Sequence, residues 1–111
     1  MTLQQKVEAL SGLQENWDSY GARPLPQEVI TSAYCYAAAI EQYLAGRENP
    51  AVVPVSKGAL QFEWHTNGRD LEIEVGKRVT VYTSVPGADR EYEIQSPAEV
   101  EIPLSWLFSQ D

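Results

Sequence analysis

Residues 61–75 read "QFEWHTNGRDLEIEV", and they determine the architecture of the second half of the chain. Apolar and polar residues alternate on both sides of the dipeptide Asn67-Gly68. Alternation with a period of two is typical of a β-strand that buries one face. Asn-Gly is the strongest short signal for a two-residue hairpin turn, because both central residues of a type I′ turn have positive φ. The stretch therefore predicts an antiparallel β-hairpin.

A two-residue turn also predicts the partner of every residue in this hairpin. Counting back from the turn pairs the apolar residues with one another: Leu60 with Val75, Phe62 with Ile73, and Trp64 with Leu71. Because apolar residues meet only apolar residues, the alternation and the turn agree on a single register. Charged residues then share the opposite face, together with two glutamates of a later strand if Tyr92 and Ile94 point inward: Glu63, His65, Asp70, Glu72, Glu74, Glu91 and Glu93.

Other segments after residue 50 follow the same period. The piece "AVVPV" at 51–55 is short, and Pro54 restricts it to a sheet edge or a lead-in, because proline has no N–H to donate. The remaining predictions are a strand "RVTVYTS" at 78–84, a turn "PGAD" at 86–89 and a strand "REYEIQ" at 90–95.

The C-terminal tail, "EVEIPLSWLFSQ", permits two interpretations. Apolar residues at every second position from Val100 to Phe108 are typical of a strand. Alternatively, Pro103 opens a short helix that carries Leu104, Leu107 and Phe108, because proline is tolerated in the first turn of a helix.

Before residue 50 the apolar residues recur with a helical period. The first stripe, for which Thr2 is the expected N-cap, consists of Leu3, Val7, Leu10 and Leu13. A second helix is expected from Pro26 to about Gly46, because proline suits the first turn of a helix and glycine the position after its end. Its buried stripe consists of Val29 or Ile30, Ala33, Ala37, Ile40 and Leu44.

These patterns predict a single α+β domain over residues 1–111. The helical part, 1–46, packs two N-terminal helices on one face of a four- to five-stranded antiparallel β-meander, and residues 50–111 hold the sheet and the tail. Both helices are amphipathic, so each needs an apolar surface to cover, and the inner face of the sheet supplies it.

The net charge limits the classes of partner. Sixteen acidic and eight basic residues give a charge of −8 at neutral pH. Nucleic acids and anionic membranes require a positive surface, so we expect no direct nucleic acid and no membrane partner. The charge favours a basic protein surface, a cation, or solubility alone.

The single cysteine and the N-terminus bear on the cellular compartment. Cys35 is the only cysteine, so no internal disulfide forms, and a small buried thiol is the expectation for its mid-helix position. The N-terminus is amphipathic with no apolar signal core, and no segment approaches membrane-spanning length. We therefore expect a cytoplasmic protein.

The charged face of the sheet has three interpretations. It is a solvated surface, a docking surface for a basic partner, or a site at which Glu63, His65, Asp70 and Glu72 hold a divalent cation. One histidine without a spaced Cys/His motif is a weak metal signal.

Catalysis has no motif to support it. No nucleophile is tied to His65, and the glycines lie singly at turns rather than in a phosphate loop. We therefore expect no enzyme, no catalytic residue, no metal and no cofactor.

Aromatic residues form the second informative group. In "NWDSYGARPLP", 16–26, Trp17 either closes the core as part of a packed corner or belongs to a recognition loop with an aromatic anchor. In the packed corner, Asn16 and Asp18 bond nearby backbone N–H groups. Three tyrosines on the second helix cannot all face the sheet, so one or two are expected at solvent or at a partner: Tyr34, Tyr36 and Tyr43.

These two stretches resemble a group of small uncharacterised bacterial and phage-associated proteins. That group pairs an N-W-D-x-Y-G-A-x-P segment with an E-W-x-x-x-G-x-D-L-E-I-E hairpin. The matches here are Asn16, Trp17, Asp18, Tyr20, Gly21, Ala22, Pro24, Glu63, Trp64, Gly68, Asp70, Leu71, Glu72, Ile73 and Glu74, with a similar lead-in at Pro50, Pro54 and Gly58. Ser19 stands where glycine is more usual. The resemblance covers about residues 10 to 76 and implies an accessory protein of bacteria or their mobile elements, with no catalytic residues.

Three functional hypotheses follow. The first is a non-enzymatic module whose acidic sheet face binds a basic protein surface, for example an inhibitor of a bacterial defence or DNA-handling enzyme. The second is a metal-binding or hydrolytic protein centred on His65 and its neighbouring carboxylates. The third is a homodimer that pairs through an edge strand or the apolar tail "PLSWLF".

Overall fold

The structure, a computed structural model, describes residues 1–109. The last two residues of the predicted domain, Gln110 and Asp111, lie outside the described part. In chain order the elements are α1 Leu3–Leu10, α2 Gln27–Leu44, β1 Ala51–Val55, β2 Ala59–Thr66, β3 Arg69–Val75, β4 Val79–Val85, β5 Ala88–Ile94, a 3₁₀ helix Pro97–Val100 and α3 Glu101–Leu107.

The β2–β3 hairpin has the predicted turn and register. Asn67 and Gly68 have φ values of 55° and 67°, as the two central residues of a type I′ turn require. Trp64 pairs with Leu71 and, on the other face, Glu63 pairs with Glu72. The apolar members are buried, so the predicted separation of apolar and charged residues is confirmed.

The sheet is an antiparallel meander with strand order β1-β2-β3-β4-β5. Short connections join each strand to its neighbour, which is the arrangement that antiparallel pairs permit. The predicted α+β class is confirmed, and β1, with Pro54, lies at an edge as expected. The β4–β5 turn is shorter than predicted: Val85 pairs with Ala88, so Pro86 and Gly87 alone form it.

Helix α1 begins at the predicted position, whereas α2 begins one residue later than predicted. Thr2 caps α1, with its side chain accepting from the backbone N–H of Gln5 while the Gln5 side chain accepts from the N–H of Thr2. Pro26 directly precedes α2. The helix ends one residue earlier than predicted, at Leu44, because Ala45 already adopts the left-handed conformation, with φ of 50°.

One apolar core joins α1, α2, α3 and the inner face of the sheet. The predicted stripe of α2 is buried, from Val29 to Leu44, and Tyr36 is buried with it. Trp64, 1% exposed, is the largest side chain of this core, and its indole N–H donates to the carbonyl of Glu48 at 2.9 Å. Because the helices cover only the inner face, the outer face of the sheet stays open to solvent.

The tail is helical, which decides between its two interpretations. It begins with a capping box in which Glu99 accepts from the N–H groups of Gln95 and Ser96. This box, with Pro97 in the first turn, starts the helical segment six residues before Pro103. The apolar residues of "PLSWLF" are used inside the chain, since Pro103, Leu104 and Leu107 are buried while Trp106 and Phe108 pack against the core.

Candidate functional site

The outer face of the sheet carries the predicted charged residues. Strand register aligns them in rows across the sheet, one of which runs from Glu63 through Glu72 and Tyr82 to Glu91. All seven predicted residues lie on this face, and Asp89 joins them because β5 begins at Ala88 rather than at Arg90. We call this surface the acidic face: Glu63, His65, Asp70, Glu72, Glu74, Asp89, Glu91 and Glu93.

The sequence-based prediction omits Asp89 because it places "PGAD" in a turn. The signal that identifies it is the alternation Asp89, Glu91, Glu93, which has the same period as the strand. Its carboxylate accepts a hydrogen bond from the hydroxyl of Ser84 on the paired strand, at 2.6 Å.

His65 and Asp70 form a cross-strand pair at one end of the acidic face. Nδ1 of His65 lies 2.7 Å from Oδ1 of Asp70. This hydrogen bond is the main cause that raises the pKa of His65 above its ordinary value, and the negative charges of Asp70, Glu63 and Glu72 add to it, while desolvation opposes them. A protonated His65 therefore reduces the negative charge at this end of the face as the pH falls.

Two cations pair with the opposite end of the acidic face. Lys57 lies 2.8 Å from Glu74, and this hydrogen bond raises the pKa of Lys57. Arg78 lies 3.3 Å from Glu93 across β4 and β5. The centre of the face has no such cation, because within residues 1–109 no lysine or arginine lies at ion-pair distance from Glu63, Glu72 or Glu91.

Tyr82 lies in the centre of the acidic face, between Glu72 and Glu91 in the cross-strand row. Burial, the negative charge of Glu74 and hydrogen bonding with Glu91 raise the pKa of its phenol. The phenol therefore stays protonated among the carboxylates. The period-two pattern of "VTVYTS" places Tyr82 on this face, although the sequence-based prediction named only ionisable acids and His65.

The carboxylates share a face without forming a compact cluster. Within the described residues, no group of three or more His, Cys, Asp or Glu side chains is arranged to hold a metal ion. Glu63 instead accepts a hydrogen bond from the side-chain amide of Gln61 at 2.7 Å, and Asp70 is bonded to His65. The arrangement is a spread grid of negative charge on strands.

The loop before α2 differs from the packed-corner interpretation in one respect. Trp17 does not close the core: it is half-buried, lies outside the core cluster, and donates its indole N–H to the carbonyl of Arg23 at 2.8 Å. The expected bonds to backbone are present, since Asn16 accepts from Gly21, and Asp18 accepts from Tyr20 and Ala22. These bonds hold the loop in a shape that leaves Tyr20 92% exposed.

Helix α2 buries one of its three tyrosines and exposes its cysteine. Tyr36 is buried, whereas Tyr34 and Tyr43 are half-buried and pack against the edge of the core. Cys35 is exposed, so the expectation of a buried thiol was wrong. The helix turns Cys35 away from the stripe that Tyr36 and Ala33 occupy.

Comparison with known proteins found no relative of this chain. No protein-family model, no curated protein and no solved structure matches the chain. Within residues 1–109, no helix is both long enough and apolar enough to cross a membrane.

Proposed function

We propose that this protein is a non-enzymatic binding module that uses its acidic face to dock on a basic protein surface. The observation that carries the proposal is the grid of seven carboxylates on one open side of a rigid sheet. Along a strand, residues on one face are spaced by about 7 Å, and neighbouring strands by about 5 Å. Such a grid is complementary to a dense patch of lysine and arginine side chains.

The central glutamates have no cationic partner within residues 1–109, and this supports the proposal. Glu63 and Glu72 are direct cross-strand partners, and like charges in that position destabilise a sheet by a few tenths of a kcal/mol to about 1 kcal/mol. A basic partner would relieve this repulsion at the moment of binding. The fold itself does not require these carboxylates, because the buried face supplies the packing.

The partner class that fits best is a protein that binds nucleic acid. Such proteins present a positive groove that neutralises phosphates, and a negative protein surface competes for the same groove. We propose, as the concrete form of this activity, an inhibitor from a phage or other mobile element that blocks the nucleic-acid groove of a bacterial defence or DNA-handling enzyme. It would act in the cytoplasm, where such enzymes work.

The test changes one row of the acidic face. The variant carries Glu63→Lys, Glu72→Lys and Glu91→Lys, and its control carries Glu15→Lys, Glu48→Lys and Glu101→Lys, which are exposed residues away from the sheet face. Both variants have the same net charge. Partners are first captured from bacterial lysate at low salt, and the affinity of each purified candidate is then measured with both variants.

The expected result distinguishes an effect of the acidic face from an effect of the net charge. We expect the row variant to lose at least about tenfold in affinity, since each lost charge contact contributes on the order of 1 kcal/mol or more. The control variant should stay close to the unmodified protein, and DNA or RNA should compete with the protein for the partner. Equal affinity of the two variants would remove the acidic face from the mechanism.

A further inference from the structure

A groove opens beside the acidic face, between the loop that precedes α2, the β1–β2 turn and the β3–β4 turn. Its volume is about 470 Å³, which is within the range of small-molecule sites. The apolar part of its lining consists of Pro24, Pro26, Val29 and Ala59, with Tyr82 at the side of the sheet. A groove of this volume with apolar residues in its lining has room for a ring or a short aliphatic group.

The walls of the groove are held in place by the backbone. The N–H of Arg23 donates to the carbonyl of Ser56 at 2.8 Å, which ties the loop to the β1–β2 turn. Gly58 lies against the same loop with φ of +88°, and a Cβ added there would come within 3.3 Å of the carbonyl oxygen of Pro24. The groove is therefore a preformed feature of the fold.

The charge of the groove is opposite to that of the protein. Four of the eight basic residues of the chain line it, against two acidic residues: Arg23, Lys57, Lys77 and Arg78, with Glu28 and Glu74. The ion pair with Lys57 neutralises Glu74, and Arg78 is shared with Glu93. No carboxylate within residues 1–109 lies at ion-pair distance from Arg23 or Lys77, in a chain that carries twice as many acids as bases.

The start of α2 adds to this positive potential. Pro26 caps this 18-residue helix without any side-chain hydrogen bond to its first amides. Helix N-termini carry a partial positive charge, and their free N–H groups donate hydrogen bonds to anions. Glu28 in the first turn offsets part of the potential, but it is a single charge against Arg23, Lys77 and the shared Arg78.

We propose that this groove binds a small phosphomonoester whose remaining part is apolar. A phosphomonoester carries between one and two negative charges at neutral pH and three acceptor oxygens, which matches the two unpaired cations and the helix end. A carboxylate brings a single charge and leaves one cation unpaired. The apolar part lies on Pro24, Pro26 and Val29. This inference does not depend on the docking role of the acidic face.

The experiment is a titration of the ¹⁵N-labelled full chain, followed by amide NMR, with phenyl phosphate, inorganic phosphate and benzoate as separate probes. We expect saturable shifts at the amides of Gly58, Ala59 and Lys77 with phenyl phosphate, and a dissociation constant on the order of 1 mM or below. Inorganic phosphate should bind more weakly because it lacks the ring, and benzoate because it has one charge.

Two charge-matched variants identify the residues responsible. Arg23→Gln with Lys77→Gln should weaken phenyl phosphate binding at least about tenfold, since hydrogen bonds to charged groups are the strong ones. Lys6→Gln with Arg90→Gln, which removes the same charge outside the groove, should change it less than about twofold by the same reasoning. Both variants are checked for an unchanged amide spectrum outside the substituted residues.

Three outcomes would overturn the proposal. The first is the absence of saturable shifts at the groove amides with phenyl phosphate. The second is equal weakening in the two variants, which would show attraction without a site. The third is a concentration-dependent shift of the groove amides without any probe, which would show that a second copy of the chain occupies the groove. None of these substitutions touches the row Glu63, Glu72 and Glu91, so the failure of one proposal leaves the other intact.

Discussion

Among the single residues of the acidic face, His65 is the one whose charge changes nearest to neutral pH. Its hydrogen bond to Asp70 favours the imidazolium, and three carboxylates surround it. The folded protein therefore holds this proton more tightly than the unfolded chain does. A group with a raised pKa stabilises the fold below its ordinary pKa, and that contribution disappears as the pH rises through the folded-state value.

Replacement of Asp70 by alanine should lower the pKa of His65 toward the ordinary value of about 6.5. The hydrogen bond to Asp70 is the largest cause of the raised pKa of His65, so its removal lowers that pKa. The measurement is an NMR pH titration of the His65 ring protons, with Glu15→Gln as a control that leaves the midpoint unchanged.

The unmodified protein should also lose stability between pH 6 and pH 8 relative to Asp70→Ala. The loss is limited to about 1 kcal/mol, since the two side chains are 59% and 53% exposed. Identical midpoints in the two proteins would contradict the prediction.

Some residues could not be assigned from sequence for local reasons. Cys35 lies next to buried Tyr36, and a stripe of three or four positions per two turns does not specify which flanking residue faces solvent. One of the two interpretations of the loop places Trp17 in the core, because large aromatic residues are usually buried. Its indole instead bonds a backbone carbonyl of its own loop, a local contact that composition and period do not encode.

Among the elements, the β2–β3 hairpin was predictable down to its register because two independent signals coincide there. The turn at Asn67-Gly68 requires positive φ, and the alternation on both sides agrees with the two-residue count. The tail lacked this agreement, because Ile102, Leu104 and Trp106 alternate as in a strand but lie on a helix. The capping box at Ser96 and Glu99 was the signal available in the sequence.

Two turns of the sheet, the β1–β2 turn with Gly58 and the β2–β3 turn with Gly68, allow a matched comparison of glycine replacements. Gly68→Ala should destabilise the protein by about 1 to 2 kcal/mol, which is the cost of the left-handed conformation, because nothing lies within 4 Å of the added Cβ. Gly58→Ala should cost more, because it adds a contact of 3.3 Å with a backbone oxygen to the same conformational cost. Equilibrium urea unfolding measures both. A smaller loss for Gly58→Ala would show that the loop before α2 yields without strain.

Helix α3 should be an integral part of the fold rather than an appendage. Leu107 is fully buried, so Leu107→Ala should lower the free energy of unfolding by about 2 to 5 kcal/mol. Ile102→Ala on the same helix serves as the control, since Ile102 is 71% exposed and should change stability by less than about 0.5 kcal/mol. Equal effects in urea unfolding would contradict the packing described for the tail.

In the molecule as a whole, charge is distributed unevenly over two neighbouring surfaces, the acidic face and the basic groove. The acidic face could be predicted, because strand period and register place its residues together. The basic groove could not, because its cations come from three separate connections: Arg23 before α2, Lys57 between β1 and β2, and Lys77 and Arg78 between β3 and β4. Only the packing of the loop against both turns brings them together.

Repulsion within the acidic face should be measurable as a dependence of stability on salt. Glu72→Gln removes one of two like charges that face each other, so it should stabilise the protein by a few tenths of a kcal/mol to about 1 kcal/mol at low salt. The gain should shrink at about 1 M salt, where the screening length falls to about 3 Å. Glu15→Gln, outside the sheet, is the control. A destabilised Glu72→Gln variant would show that this carboxylate has a stabilising contact.

The two outer strands of the sheet bear on how this protein behaves at high concentration. Pro54 has no backbone N–H. A second chain that paired with the free edge of β1 would therefore lack one of the hydrogen bonds of a regular strand pair. On the far border, β5 exposes four charged side chains that are mainly acidic, Asp89, Arg90, Glu91 and Glu93, and these disfavour pairing with the same strand of a second copy. Both features disfavour the growth of amyloid-like fibres by strand addition, so concentrated solutions of the folded protein should remain clear and free of thioflavin-positive material.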